Sequence, residues 1–218
     1  MCAQFTLKIQ ANELSKKYGI KVPENLESID ERYLPYKQAP CFVKTNDDLL
    51  KLTSMNFSLI PSWSKEAKVK FATHNARIET ITEKPTWKIP FKKQHCLIPM
   101  TGFFESVYDG PLAGNIIEFS DSKNDLLFAA GIFDVWKNYE NKQNLFSFSI
   151  LTSEPSKFIL DHGHDRCPIF LNFENAKKWL SLFDDDKLLV DFLLKNIQIP
   201  ELNVQVDRPL KAGWEKRK

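Results

Sequence analysis

A cysteine in the second position carries the most reactive combination of groups that this chain offers. Cys2 lies between Met1 and Ala3, and a small second residue normally allows the initiator methionine to be removed. Cys2 would then carry a free α-amine, with a pKa of about 7.7–8.0, and a thiol, with a pKa of about 8.5. Such a 1,2-aminothiol can attack an acyl carbon or condense with an aldehyde to close a thiazolidine ring. Many proteins begin Met-Cys by chance, so Cys2 alone predicts no function.

Three other polar groups stand at the ends of apolar segments and could complete a site around this nucleophile. Asn75 and Arg77 fall in the segment Asn-Ala-Arg-Ile-Glu-Thr, and Glu105 closes an apolar run that begins at Leu97. His164 lies in the segment His-Gly-His-Asp-Arg. Each group also has an ordinary structural interpretation: a turn residue with a surface charge, a carboxylate on the solvent face of a strand, and a helix-ending histidine.

The sequence predicts neither a metal site nor a bound cofactor. His162 and His164 are two residues apart, but no third ligand is evident near them. The four cysteines are widely spaced and form no Cys-x-x-Cys pair, which argues against a zinc site or a disulfide scaffold. With only seven glycines, the chain also has no glycine-rich phosphate loop.

Composition places the chain among ordinary globular proteins. It has 218 residues, of which 43% are hydrophobic, and this length suits one domain with a real core. The net charge is only +2, so a nucleic-acid site would have to be a local groove rather than a global field. The sequence shows no signal peptide and no apolar run near 18 residues, so the expected location is the reducing cytoplasm.

Strand patterns dominate the middle of the chain and helix patterns flank it. Segments rich in Phe, Ile, Leu and Val with short turns between them run from residue 95 to residue 152. Helical spacing of apolar residues predicts helices over 11–18, 154–160, 173–182 and 186–195. Residues 21–40, which contain three prolines, are interpreted as a long surface connection. The predicted fold is a single α+β domain, 1–210, with a central antiparallel, barrel-like sheet flanked by helices, followed by a basic tail, 211–218.

Taken together, the polar segments resemble a known family. Cys2, the Asn-Ala-Arg-x-Glu-Thr segment from Asn75, the Cys-Leu-Ile-Pro-x-x-Gly-Phe-Phe-Glu segment to Glu105 and the His-Asp-Arg-x-Pro segment from His164 occur in this order. This pattern resembles the SOS response-associated peptidase (SRAP) family, whose members include sensors of abasic sites in single-stranded DNA. The resemblance extends from Cys2 to about Asp207. It implies a β-rich α+β fold with a barrel-like sheet and a positively charged groove for DNA.

The resemblance also implies roles for individual residues. Cys2 matches the catalytic cysteine, and Asn75 matches the polar residue that holds the cysteine's amine or the reacting sugar. Glu105 matches the catalytic carboxylate that moves protons, and His164 matches the histidine that assists it. Arg77 matches an arginine that contacts DNA phosphate.

We expect the basic groove beside Cys2 to contain both Arg77 and Arg166. The implied function is capture of abasic sites in single-stranded DNA through a thiazolidine crosslink to Cys2 after removal of Met1, with autoproteolytic and lyase activities in addition. A monomer without membrane contacts is expected. Two alternatives stay open at this point: an N-terminal-nucleophile cysteine hydrolase that acts on peptides, and a nucleic-acid-binding module without catalysis.

Several positions depart from the family pattern. Ala3 and Gln4 replace the usual Gly-Arg, Phe57 and Ser58 replace Trp-Gly, and Ser106 replaces a common Trp. Since stacking on an aromatic ring is worth roughly 1–3 kcal/mol per base, these changes predict weaker DNA binding. Loss of the arginine at position 4 predicts the same, and on sequence grounds Gln4→Arg should tighten binding.

Overall fold

Two β-sheets, joined by buried side chains and flanked by short helices, make up the protein. The structure is a computed structural model that describes residues 2–123, 125–138, 142–182 and 185–217. The strands are β1 (Gln4–Gln10), β2 (Ser28–Tyr33), β3 (Gln38–Lys44), β4 (Leu50–Phe57), β5 (Asn75–Arg77), β6 (His95–Met100), β7 (Gly102–Ser106), β8 (Asn115–Asp121), β9 (Leu127–Lys137), β10 (Asn144–Ser153), β11 (Cys167–Pro168), β12 (Phe170–Leu171) and β13 (Leu202–Pro209). The helices are α1 (Ala11–Tyr18), α2 (Pro85–Lys93), α3 (Lys157–Asp161), α4 (Phe173–Trp179) and α5 (Asp186–Lys195), with 3₁₀ turns at Ile78–Thr80 and Trp214–Arg217.

The first sheet has five antiparallel strands in the order β13-β8-β7-β1-β2. Alternation along β1 sends Phe5 and Leu7 into the core. Arg32 on one edge strand forms an ion pair of 2.9 Å with Asp207 on the other edge strand. Four strand spacings would separate these edges by about 19 Å in a flat sheet, so the sheet must be strongly curled.

The second sheet closes on itself to form a barrel. Its ring runs β4-β3-β6-β9-β10 and returns to β4. All of these pairings are antiparallel except the one between β4 and β10, which is parallel. The predicted fold class, a β-rich α+β domain with a barrel-like sheet flanked by helices, is confirmed.

Aromatic side chains join the curled sheet to the barrel. Phe5 meets Phe57 edge to face, with ring centroids 5.5 Å apart, and Phe103 lies 5.5 Å from Phe170. All four rings are buried. Burying each large apolar side chain contributes roughly 1.5–3 kcal/mol, so this layer holds the two sheets together.

A long loop connects β4 to β5, and both of these strands pair in parallel with β10. Phe57 at the end of β4 pairs in parallel with Phe148, and Asn75 at the start of β5 pairs in parallel with Ile150, only two residues further along. Residues 58–74 therefore leave the barrel and come back to the same line of hydrogen bonds. This detour delivers Asn75 to a defined position on the barrel.

The predicted helices form, although their ends differ by a few residues. The helices over 11–18 and 186–195 are confirmed as α1 and α5, and those over 154–160 and 173–182 become the shorter α3 and α4. Helix α2 was not predicted, and its interior Pro90 explains why the sequence pattern is weak there. Among the described residues, every helix is too short or too polar to cross a membrane.

The prediction that residues 21–40 form only a surface connection is wrong. Strand β2 (Ser28–Tyr33) lies within this segment and pairs with β1, and β3 begins at Gln38. β2 is an edge strand whose side chains are mostly exposed or half-buried. It is stabilised by pairing with β1, and its polar sequence, Ser-Ile-Asp-Glu-Arg-Tyr, lacks the apolar alternation that identifies a strand.

Ser58→Gly is expected to stabilise the protein. Ser58 has a φ of 140°, a backbone region that glycine adopts and L side chains rarely do. Its buried hydroxyl also has no hydrogen-bond partner within the described part of the chain. Removing such strain and an unsatisfied hydroxyl should raise the free energy of unfolding by about 2 kcal/mol. This change corresponds to a rise of about 4–8 °C in Tm, measured by thermal unfolding.

Ser153→Gly is the matched control for this prediction. Ser153 is also buried on the barrel, but it has no positive φ and its hydroxyl donates to the Glu154 carbonyl. We expect this substitution to lower Tm. A lowered Tm for Ser58→Gly as well would contradict the strain argument.

Candidate active site

Cys2 lies buried where the chain enters β1. Its side chain is only 1% exposed and belongs to the core. The Asn75 side chain donates from Nδ2 to the Cys2 carbonyl at 2.8 Å. The Cys2 thiol donates weakly to the Gln4 carbonyl, with sulfur and oxygen 3.7 Å apart. The start of the chain is therefore held against the barrel by β5, which positions Asn75.

Glu105 and His164 form a buried pair. Side chains alternate between the two faces of a strand, so Phe103 and Glu105 in β7 point to the same face, toward the barrel. Both side chains are buried. His164 Nε2 lies 2.8 Å from Glu105 Oε2. A carboxyl group and an imidazole at this distance share a proton, so the pair can both accept and donate one.

The loop after α3 holds His164 in place. Gly163 has a φ of 82°, and a Cβ at this position would lie 2.7 Å from the Asp109 carbonyl oxygen and 2.8 Å from Val107 Cγ1. His164 Nδ1 lies 3.0 Å from the Arg166 carbonyl oxygen and 3.3 Å from the Arg166 backbone nitrogen, so the Arg166 backbone holds this side of the ring. The other ring nitrogen, Nε2, then faces Glu105.

The Cys2 thiol is protonated at neutral pH. Burial raises its pKa well above the usual value, and the nearby Glu105 carboxylate raises it further. A thiol that reacts here must therefore lose its proton to a neighbouring base. The influence of Glu105 on this pKa also places the Glu105–His164 pair within electrostatic reach of Cys2.

The two predicted DNA-binding arginines have different surroundings. Arg77 is exposed at the end of β5. The buried Arg166 guanidinium makes two hydrogen bonds to Glu79, at 2.8 and 2.9 Å, and a third to the Thr152 carbonyl. Partial burial opposes ionisation of Glu79, but the hydrogen bonds from Arg166 and the charges of both arginines lower its pKa. Arg166 thus links β11 to the 3₁₀ turn, and the DNA contact predicted for it stays a prediction.

Two residues near this site, Cys167 and His74, were assigned no role in the site from the sequence. Burial, and then the Glu105 carboxylate, raise the pKa of the Cys167 thiol, so Cys167 lies within the influence of the same carboxylate as Cys2. Burial lowers the pKa of His74, and the charge of the Glu105 carboxylate acts in the opposite direction and raises it. Cys167 occupies the variable position of the His-Asp-Arg-x-Pro segment, and His74 directly precedes Asn75. Their position beside the motif residues is the sequence feature that could have identified them.

Within the described ranges, no group of three His, Cys, Asp or Glu side chains is arranged to hold a metal ion. The polar atoms of the site are instead arranged around Cys2.

A β-rich α+β fold of two packed sheets, with a buried cysteine at the start of the chain and a glutamate–histidine pair near it, defines the class of protein. The chain belongs to the SOS response associated peptidase (SRAP) family, whose model matches residues 1–208. The family predicted from the sequence is therefore confirmed.

The chain is also similar in sequence to proteins that have assigned names. The chain is 28% identical over 201 residues to "Abasic site processing protein YoqW" of Bacillus subtilis, covering 89% of this chain and 87% of the relative. It is 30% identical over 201 residues to "Abasic site processing protein HMCES" of Xenopus tropicalis, covering 76% of this chain and 59% of that protein.

Solved structures show the same fold. A protein from Bordetella bronchiseptica superimposes with a TM-score of 0.78 at 18% identity, covering 95% of this chain and 100% of that one. A protein from Bacteroides thetaiotaomicron gives a TM-score of 0.73 at 22% identity, covering 95% and 92%. At these identities the likeness shows the fold alone.

Proposed function

We propose that this protein captures abasic sites in single-stranded DNA by forming a covalent thiazolidine crosslink through Cys2 after Met1 is removed. The observation that carries the proposal is the arrangement of Cys2, held by Asn75 at 2.8 Å, near the Glu105–His164 pair. The relatives named as abasic site processing proteins support it. An abasic deoxyribose opens to an aldehyde, which is the partner that a 1,2-aminothiol requires.

The proposed reaction balances without an oxidant or a reductant. The Cys2 amine nitrogen adds to the aldehyde carbon of the open sugar, and the carbinolamine loses one water to give an imine. The Cys2 sulfur then bonds to the imine carbon while the thiol proton ends on the nitrogen, which closes the five-membered ring. Because both nucleophiles belong to one residue, the second step is intramolecular and benefits from proximity.

Glu105, His164 and Asn75 have separate tasks in this proposal. The Glu105–His164 pair moves protons during sugar opening, loss of water and attack by the neutral thiol. The buried Asn75 Oδ1 has no hydrogen-bond partner among the residues that the structure describes. It is available to accept a hydrogen bond from the Cys2 amine or from a sugar hydroxyl.

The loop over residues 61–73 supports a single-stranded nucleic acid as the target. Its exposed side chains include Trp63, 56% exposed, and Phe71, 50% exposed. Three lysines and one glutamate give this loop a net charge of +2, and all three lysines are exposed. The loop is anchored to β9 by Trp136 Nε1, which donates to the Ser64 carbonyl at 2.8 Å. Exposed aromatic rings interleaved with lysines are typical of surfaces that stack unpaired bases and follow a phosphate chain.

The test of this proposal is intact-mass analysis of the protein with an abasic single-stranded oligonucleotide. We expect a new species whose mass is the sum of the processed protein and the oligonucleotide minus one water. An intact oligonucleotide that binds without a mass increase would favour a noncovalent binding module. Cleavage of peptides without any DNA adduct would favour the N-terminal-nucleophile hydrolase.

We include the autoproteolytic and lyase activities in the same proposal. Removal of Met1 exposes the amine, and Glu105 and His164 can transfer the protons that hydrolysis of the Met1–Cys2 bond requires. An imine at the sugar also acidifies the adjacent C–H, so the pair can remove that proton and eliminate the 3′ phosphate. Strand cleavage is then a competing outcome when ring closure is slow.

Arg77→Ala is expected to weaken single-stranded DNA binding equally for all base sequences. The exposed guanidinium can contact a phosphate, which carries no sequence information. Loss of one such contact should reduce the magnitude of the slope of log K against log salt by about 0.7. Fluorescence anisotropy over a salt series measures both effects. Lys123→Ala, which removes an exposed lysine paired with Glu201, is the control and should leave the slope unchanged.

Gly163→Ala is expected to slow crosslinking by displacing His164. The added Cβ clashes with the Asp109 carbonyl and with Val107, and the φ of 82° strains any L residue. A displacement near 1 Å at the reacting groups costs about 10²-fold in rate. Gly19→Ala has a φ of 65° but open space around its Cβ, so it should strain the backbone without changing the crosslinking rate. Equal rates for both variants would show that the position of His164 is unimportant.

A further inference from the structure

The Gln4 side chain is held by an arginine from the neighbouring strand. Gln4 Oε1 accepts two hydrogen bonds from Arg32, at 3.0 Å from Nε and 2.7 Å from Nη2. Gln4 is two residues from Cys2, and its carbonyl is the acceptor of the Cys2 thiol. Arg32 therefore fixes the first residue of β1, two positions after the candidate nucleophile.

Arg32 is itself fixed from two further sides. Its guanidinium lies 3.6 Å from the centroid of the Phe104 ring, and Phe104 pairs with Gln4 in the register of β7 and β1. Asp207 accepts from Nη1 at 2.9 Å and from Nη2 at 3.1 Å. The Arg32 side chain is only 25% exposed and connects β1, β2, β7 and β13.

The Arg32 side chain contacts residues that are close in the chain to Cys2 and to Glu105. Gln4 follows Cys2 by two residues, and Phe104 immediately precedes Glu105. Arg32 therefore contacts two residues at paired positions of β1 and β7, one close in the chain to Cys2 and the other next to Glu105.

We propose that Arg32 is a positioning residue that acts through Gln4 to hold Cys2 in register with Glu105. This inference rests on the proposed function. It also revises an expectation from the sequence: Gln4 Oε1 accepts from Arg32 and, at 3.5 Å, from Arg208, so Gln4→Arg would replace this acceptor with a third guanidinium group. Slower crosslinking, rather than tighter binding, is the expected result of that substitution.

The first experiment is a double-mutant cycle on single-turnover crosslinking to abasic single-stranded DNA. Arg32→Ala and Gln4→Ala should each lower the rate at saturating DNA by about tenfold or more, since small displacements of reacting groups have effects of this size. The half-saturating DNA concentration should stay unchanged. The double variant should be no slower than either single variant, because Arg32 acts through Gln4. Gln4→Glu keeps an acceptor for Arg32 and should retain most of the rate.

Lys8→Ala is the matched control. Lys8 and Asp30 form an exposed pair of 3.5 Å across the same two strands, β1 and β2, but away from the start of the chain. Its removal should change neither the rate nor the half-saturating concentration. Circular dichroism checks that each variant is folded, and Asp207→Asn, which keeps the shape of the side chain, replaces Arg32→Ala if the latter unfolds.

The second experiment needs no DNA. Peptide mapping measures the rate of iodoacetamide labelling at Cys2, with the buried Cys96 of the barrel as an internal reference. Because loss of a local anchor increases opening of the chain end, labelling of Cys2 should be about fivefold faster or more in Arg32→Ala and Gln4→Ala, and unchanged in Lys8→Ala.

The outcomes separate this inference from the proposed function. If the unaltered protein forms no DNA adduct, the proposed function is wrong, and the labelling rates still decide whether Arg32 holds Cys2. If Arg32→Ala leaves both the crosslinking rate and Cys2 labelling unchanged, the positioning role is overturned. Weaker DNA binding with a reduced salt slope and an unchanged maximal rate would also overturn it, and would make Arg32 a phosphate contact.

Discussion

Replacing Cys2 with serine is expected to abolish the heat-stable adduct with abasic single-stranded DNA. The serine hydroxyl is a far weaker nucleophile than the thiol, so an imine that forms on the amine is not trapped by ring closure. An untrapped imine hydrolyses on heating. Noncovalent binding should be retained, because the side chain of Cys2 is buried and a hydroxyl replaces a thiol of similar size. Denaturing gels after heating and anisotropy under native conditions measure the two quantities.

Cys96→Ser provides the control for this substitution. Cys96 is also a fully buried free cysteine, but it lies in the barrel strand β6. It should leave adduct formation intact. A form of the protein shown by mass to retain Met1 should behave like Cys2→Ser, since its amine is acylated. A heat-stable adduct from either Cys2→Ser or the Met1-retaining form would contradict the thiazolidine mechanism.

Glu105→Gln is expected to slow crosslinking by about 10²–10⁴-fold at neutral pH, the range typical for loss of a general acid–base group. The amide keeps the shape of the side chain but cannot exchange a proton with His164, which lies 2.8 Å away. The neutral Cys2 thiol then lacks a nearby carboxylate to accept its proton. Single-turnover rates at saturating DNA measure this effect separately from binding.

The same substitution should change the pH dependence of the rate. Burial is the largest cause that raises the Cys2 pKa, and the Glu105 charge is the second. Removing that charge lowers the pKa of the thiol toward its ordinary value, although burial keeps it raised. In Glu105→Gln the thiolate fraction, and with it the rate, should therefore rise with increasing pH by up to tenfold per pH unit below the thiol pKa.

Glu118→Gln is the matched control for the charge change. Glu118 pairs with Phe104 across β7 and β8, so its side chain lies on the opposite face of the curled sheet from Glu105. Its carboxylate accepts from Gln205 at 2.6 Å. This variant should crosslink at nearly the normal rate and keep the normal pH profile. A rate loss as large as that of Glu105→Gln would show that the loss reflects damage to the sheet.

Much of the fold was predictable because it depends on local patterns. Apolar alternation between residues 95 and 152 identified the five strands β6 to β10, and helical spacing identified α1 and α5. The same alternation turns Glu105 inward next to Phe103. Where the local pattern was poor, prediction failed: β2 is polar and exposed, and α2 contains Pro90.

The identity of the candidate site residues also came from the sequence. Four short segments in a fixed order selected Cys2, Asn75, Glu105 and His164. In the structure Asn75 contacts Cys2, His164 contacts Glu105, and Glu105 acts on the pKa of Cys2. Their catalytic roles stay predictions until the variants above are measured.

Only the tertiary structure decided how these residues are held and what their neighbours are. The pairing of Arg166 with Glu79, the contact of Arg32 with Gln4 and the ion pair of Arg32 with Asp207 join residues 87, 28 and 175 positions apart. The Arg32–Asp207 ion pair depends on the curl of the sheet, and the Arg166–Glu79 pair depends on the long loop that returns to the barrel. The Arg32–Gln4 contact depends on the pairing of β1 with β2. Hydrophobic periodicity reports which face of a strand is buried, but it carries no information about which charged side chains a curled sheet brings together.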